Sequence, residues 1–315
     1  MIVRRGISCV APYYPPFCGG DMLMYKVGIM TIKNLNEYER LIIPAEELTT
    51  AAIPLYGNVS AGYPAEAYNY IEDRIDLNKR IIRNKSGNRC MWVTNRELLA
   101  PGITYGDLLV FDTKLNPGPK AICLYFIDDE YSLRWIEKEA NGIRLVCPNP
   151  EVSDVYVGEG ETIEQKGVLT HRLKKFENYH KHHSAFLKDA RNYSENGMDY
   201  NKYFLGEEEY WETIFYLRVE GESMSGDWIV KGDLLVIDRL GMEYNDSIFV
   251  FLIENQFTLK RIVQHKDYIA LIGSNPKFPE IRVPGYVRLE PWGVLTGTIT
   301  DYRKSYEILY SLRPE

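Results

Sequence analysis

The chain is predicted to be mainly β, built as two tandem antiparallel β domains that are copies of one fold and are joined by a connecting helix. The first of three observations behind this is an internal repeat: Gly106-Asp107-Leu108-Leu109-Val110-Phe111-Asp112 returns as Gly232-Asp233-Leu234-Leu235-Val236-Ile237-Asp238, at 232 − 106 = 126. The same offset of 126 carries Asn149-Pro150 onto Asn275-Pro276 and Gly167-Val168-Leu169-Thr170 onto Gly293-Val294-Leu295-Thr296. Second, apolar and alternating runs are punctuated at short intervals by Gly-Asp turns, the pattern of antiparallel strands. Third, Leu173, Phe176, Tyr179, His183, Phe186, Leu187 and Ala190 recur at helical spacing between the copies.

Bulk properties narrow the class. A chain of 315 residues exceeds one typical core. Its net charge of -7 argues against a general nucleic-acid coat, because affinity for a polyanion begins with Lys and Arg neutralising phosphates. The 5 cysteines are odd in number and lack a CxxC pair, so neither a disulfide framework nor a zinc site is expected, and a reducing cytoplasm fits best. No run approaches the apolar length of a membrane span. Arg4 and Arg5 precede Pro12, Pro15 and Pro16, which interrupt any signal-peptide pattern. No cofactor is expected.

In chain order, residues 1–52 read as an N-terminal extension leading into an arm. Met22, Met24 and Met30 can each serve as a start, and the segment before them is expected to carry no structure. One short helical candidate runs from Asn36 to Leu48, broken by Pro44 and too short for a three-helix DNA-reading head. The first β domain is expected over 53–172 and the linker helix over 173–197. Within that linker, His180, His182 and His183 beside Lys174, Lys175 and Lys181 read as a solvated helix face, since no acidic or cysteine partner stands at ligand spacing. The second domain is expected over 198–302 and a tail over 303–315. Just before it the repeat slips, Asp76-Leu77-Asn78-Lys79 meeting Asp199-Tyr200-Asn201-Lys202 at 199 − 76 = 123.

Chemistry concentrates in the second copy. Val219-Glu220-Gly221-Glu222-Ser223-Met224 puts a serine beside a glycine after an apolar run, and Phe257-Thr258-Leu259-Lys260-Arg261-Ile262 puts a lysine in a strand after the expected hairpin turn Glu254-Asn255-Gln256. A serine hydroxyl becomes a good nucleophile only if a neighbour takes its proton, and a lysine can do so only if burial lowers its pKa. Each residue alone is usually a turn serine or a solvent-facing strand lysine. Together, at 260 − 223 = 37 and flanked by Gly-Asp-Leu-Leu-Val, they resemble the serine-lysine dyad of the LexA and UmuD self-cleaving family, peptidases of the S24 class. Glu222 replaces the family's usual Asp before the serine.

The resemblance extends to the arm. Val59-Ser60-Ala61-Gly62-Tyr63-Pro64 is similar to the UmuD arm, where a small residue before Gly-Phe-Pro marks the bond the protein cuts in itself; by that match the scissile bond joins Ala61 to Gly62. Small residues on both sides let an extended backbone enter a tight site, and Gly62 and Pro64 discourage helix.

The repeat puts Glu97 on Ser223, since 223 − 97 = 126, and Arg134 on Lys260, since 260 − 134 = 126. Arginine stays protonated and glutamate offers no hydroxyl nucleophile, so the first copy is expected to be inert, with Glu97 and Arg134 forming an ion pair in a degenerate site. The resemblance further implies a pseudo-dimer within one chain, the first copy supplying the arm and the second the dyad. It also implies a RecA filament on DNA as trigger and an error-prone UmuC-like Y-family polymerase as partner. A non-cleaving regulatory or polymerase-binding module with a relic dyad, and a peptidase acting on another chain, use the same residues.

Overall fold

The computed structural model describes residues 43–44, 50–59, 65–66, 73–176, 198–206, 208–241, 246–253, 256–286, 289 and 291–303. Before and within the first copy lie β1 (Ile43–Pro44), β2 (Ile53–Val59), β3 (Ala65–Glu66), β4 (Asp73–Ile75), α1 (Leu77–Ile81), β5 (Asn88–Trp92), β6 (Leu108–Asp112), β7 (Cys123–Ile127), β8 (Glu130–Glu139), β9 (Gly142–Val146), β10 (Val155–Gly158) and β11 (Gln165–Lys175). The second copy has α2 (Tyr200–Leu205), β12 (Ile214–Val219), β13 (Leu234–Asp238), β14 (Ile248–Ile253), β15 (Gln256–Gln264), β16 (Tyr268–Ile272), β17 (Ile281–Pro284) and β18 (Pro291–Asp301). Strands β5 to β11 recur as β12 to β18 at the sequence offset, with 214 − 88 = 126 at the start and 301 − 175 = 126 at the end. The duplication is therefore structural as well as sequential.

The repeated Gly-Asp motif is a turn whose chemistry explains both residues. Gly106 and Gly232 sit at φ +85 and +93, where an L side chain is strained. The following aspartate folds back, Asp107 Oδ2 accepting from the Thr104 N–H at 2.9 Å and Asp233 Oδ2 from the Val230 N–H at 3.0 Å. Each turn launches a buried strand, β6 or β13, so the apolar runs lack clean alternation because both faces are covered.

The halves meet as an isologous pair. Strands β11 and β18 run antiparallel with Leu173 opposite Ile299, and 299 − 173 = 126 makes these two the same position in each copy. Beside them the helix starts exchange contacts reciprocally. Asn78 donates to Asp199 at 2.9 Å and Asn201 to Asp76 at 3.0 Å, while Asn201 Oδ1 accepts from the Leu77 N–H and Asn78 Oδ1 from the Tyr200 N–H, both at 2.8 Å. The Asp-x-Asn repeat is thus an interface motif, in which Asp76 and Asp199 also cap α1 and α2. One apolar core runs through both copies, including Leu77, Val110 and Leu173 from the first and Tyr200, Tyr216 and Ile299 from the second.

At the interface one buried side chain departs from this symmetry. Arg172 is 2 % exposed and lies between the copies, where its guanidinium donates to the Gly102 carbonyl and, at 3.0 Å, to the Trp228 carbonyl, two equivalent positions since 228 − 102 = 126. It also donates to Thr300 Oγ1 at 3.0 Å and lies 4.0 Å from Asp233. Its counterpart in the second copy is Thr298, at 298 − 172 = 126.

Two helical expectations need correction. Arg172 to Lys175 continue β11, whose pairing with β18 and β6 buries Leu173, so strand pairing across the interface overrides the helical period at the start of the linker. The rest of the linker helix, including His180, His182 and His183, lies outside the described residues. Ile43–Pro44 pairs with Cys90 and Arg89 as β1, so the helix expected over 36–48 does not hold at these two residues. Among the described residues there is no helix long and apolar enough to cross a membrane and no cluster of groups able to hold a metal ion. Cys90, Cys123 and Cys147 are free and buried.

Candidate active site

Ser223 follows β12 in a short loop stapled from both sides. Its carbonyl accepts from the Asn275 N–H at 2.9 Å, and the Asn275 side-chain amide donates to the Glu222 carbonyl at 3.1 Å. Against the loop lies Gly273, where a Cβ would come 2.7 Å from the Ser223 carbonyl oxygen. Glycine is needed there because two backbones approach closely.

Lys260 sits midway along β15, paired with Phe249 of β14 and flanked in the strand by buried Leu259. Its Nζ lies 3.0 Å from Ser223 Oγ, and both residues are buried, at 4 % and 0 % exposure. Burial holds the lysine pKa below its ordinary 10.5, since a desolvated ammonium is disfavoured. The pair can therefore work as a general base and a nucleophile: a neutral lysine accepts the serine proton as the hydroxyl attacks a carbonyl.

The first copy holds the other predicted pair. Arg134 Nη2 donates to Glu97 Oε2 at 2.7 Å. The grip is single rather than two-pronged, because the remaining guanidinium N–H groups go elsewhere, Nε to Ser132 Oγ at 2.8 Å and Nη1 to the Ser153 carbonyl at 2.6 Å. Ser132 completes the network by donating to Glu97 Oε2 at 3.0 Å. The staple is retained, Asn149 donating to the Arg96 carbonyl at 3.0 Å as Asn275 does to Glu222. The glycine is not: Cys147 stands in its place, at 273 − 147 = 126, and burial pushes its thiol pKa up. Once the serine and lysine are gone, nothing requires that close approach.

The Glu97 and Arg134 charges are expected to communicate. A double-mutant cycle of Glu97→Gln and Arg134→Met, read by denaturant unfolding, should give a coupling of about 1 to 3 kcal/mol. Removing Arg134 alone should cost more than removing both partners, because a mostly buried carboxylate is left with the Ser132 hydroxyl and the exposed Arg96 guanidinium 4.0 Å away. Zero coupling would show two charges that merely touch.

Ala61 and Gly62 lie outside the described residues, but the chain on either side is fixed. Strand β2 runs parallel to β12 with Val59 opposite Val219, and β3 pairs with β15 with Ala65 opposite Phe257. Both anchors of the arm thus lie in the second copy, on the strands that lead to Ser223 and carry Lys260. Sequence reading missed Gly273, for which the only signal was its replacement by Cys147 in the repeat.

An antiparallel β fold holding a buried serine and lysine in hydrogen-bond contact has the arrangement that serine-lysine chemistry requires. The Peptidase S24-like family model matches residues 54–170 and again 185–296, so the chain belongs to the S24-like peptidases and carries the family fold twice. It is 38% identical over 93 residues to the LexA repressor of Syntrophotalea carbinolica, covering 29% of this chain and 45% of that one. It is 30% identical over 120 residues to Protein MucA of Salmonella typhimurium, covering 38% of this chain and 80% of the relative. Protein ImpA of Salmonella typhimurium is 30% identical over 96 residues, 30% of this chain and 64% of that one. The chain spans less than half the length of the LexA repressors it matches.

Proposed function

We propose that this chain is a self-cleaving serine-lysine peptidase of the LexA and UmuD type, in which the second copy cuts the arm of the first between Ala61 and Gly62. Neutral Lys260 takes the proton of Ser223 Oγ as that oxygen bonds to the Ala61 carbonyl carbon. Backbone N–H groups around Ser223 hold the oxyanion. The bond to the Gly62 nitrogen then breaks, the nitrogen leaving with the proton held by Lys260, and water hydrolyses the acyl ester. No metal or cofactor enters.

The observation that carries this reading is the pair of strand registers that bracket the bond. Val59 is opposite Val219, four positions before Ser223, and Ala65 is opposite Phe257, three before Lys260. Both ends of the arm are thus held on the two strands that carry the dyad into place, which favours cutting within one chain. By family resemblance, a RecA filament on DNA stimulates the cut and the processed protein serves an error-prone Y-family polymerase in the cytoplasm, as part of a response to DNA damage.

Purified wild type should yield a fragment whose N-terminal sequence starts at Gly62, and Ser223→Ala should not. Its first-order rate should stay constant over about a hundredfold dilution, as an intramolecular step requires. A rate that falls in proportion to concentration would mean that the arm reaches another molecule. A wild type that stays whole under every condition would leave the non-cleaving module as the reading.

A further inference from the structure

We infer that cutting does not release the piece N-terminal to the bond: it stays attached to the processed protein through β2, which remains an integral strand. The inference rests on the proposed cut for its biological occasion, but its grounds are separate. Strand β2 is paired on both edges, parallel to β12 and antiparallel to β4 through Ile53 opposite Ile75 and Leu55 opposite Asp73. Removing it would strip partners from the backbones of β12 and β4 together.

Both faces of the strand are also engaged. Ile53 and Leu55, at 4 % and 2 % exposure, belong to the core shared by the two copies, as does Ala51 just before the strand. On the opposite face Tyr56 meets Phe215 and Trp292 edge-on, with ring centroids 5.5 and 5.7 Å away, and the Arg239 guanidinium lies 5.2 Å from the Tyr56 ring. Upstream, β1 adds its own pairing to β5. All of these contacts lie on the N-terminal side of the proposed bond, and none needs that bond to persist. The far side is tethered too, through Ala65 opposite Phe257. Cleavage would therefore nick the protein in place, creating a new carboxylate and a new amine beside the dyad while the slot between β12 and β4 stays filled by the protein's own strand.

The test nicks the chain by two routes and weighs the product under native conditions. In one, wild type cuts itself to completion; in the other, Ser223→Ala carries a recognition site for a sequence-specific protease within residues 60–64, lengthened with glycines until it is cut to completion. Native mass spectrometry and size exclusion should find both pieces together at the mass of the uncut chain, parting only in denaturant. The large fragment eluting alone, by either route, would overturn the inference. Should wild type fail to cut itself, the proposed function falls while the second route still decides the retention. Leu55→Ala in the nicked protein should speed dissociation of the small piece at least about tenfold. An unchanged rate would show that β2 is not the holdfast.

Discussion

Lys260→Arg is expected to slow self-cleavage severely at every pH. Arginine keeps a positive charge under any ordinary condition, so it can donate to Ser223 Oγ but cannot take its proton. The first copy holds an arginine at this position, Arg134, only by pairing it with Glu97, so the unfolding midpoint of Lys260→Arg is measured beside its rate to separate a lost base from a lost fold. Loss of the general base should slow the reaction by about 10² to 10⁴. Wild type should behave differently with pH. Its rate follows the fraction of neutral lysine, which rises with pH until the folded pKa is passed, and burial places that pKa below 10.5. The rate should therefore climb through the mildly alkaline range and level off earlier than for a free lysine. A Lys260→Arg chain that cuts with the same pH profile as wild type would remove Lys260 from the mechanism.

The second large effect is on stability. Arg172→Met should destabilise the protein by about 3 to 5 kcal/mol at neutral pH, the range for removing one partner of a buried charge cluster. The loss would leave the Gly102 and Trp228 carbonyls without their shared donor, Asp233 without the cation 4.0 Å away, and Asp107 with a weaker positive field. Burial pushes the Asp233 pKa up from 3.8 to about 6, against the pull of Arg172. A carboxylate with a folded pKa above its unfolded value costs stability as pH rises from the unfolded value through the folded one, because the unfolded chain ionises first. Without Arg172 that cost grows. The deficit of Arg172→Met relative to wild type should accordingly be largest near neutrality and shrink toward pH 5, where Asp233 takes up a proton and needs no partner. Urea unfolding at both pH values measures it, and a deficit indifferent to pH would mean that the arginine acts through packing alone.

Much of the molecule was legible in the residues because a duplicated chain carries its own comparison. The offset aligned Ser223 with Glu97 and Lys260 with Arg134, so the contrast between a nucleophile and base on one side and two opposite charges on the other could be read directly. The contact between Glu97 and Arg134 follows from the same logic, since two copies of one fold must place equivalent positions equally close. At the start of the linker, periodicity alone misled. The spacing of Leu173 and Phe176 is helical, yet Leu173 lies in β11 opposite Ile299 because a long-range pairing outweighed a local pattern.

The sequence by itself determined the fold class, the duplication and the copy holding a serine and a lysine, because strand alternation, turn glycines and repeats are local or self-referential signals. How the two copies fit together was settled by the folded chain. That Asp76 and Asn78 meet Asn201 and Asp199 reciprocally, that Arg172 sits once on the axis, and that β2 inserts between β12 and β4 all depend on contacts between residues far apart in the chain. No local pattern encodes such contacts, since their energy comes from burying and pairing groups that only the folded chain brings together.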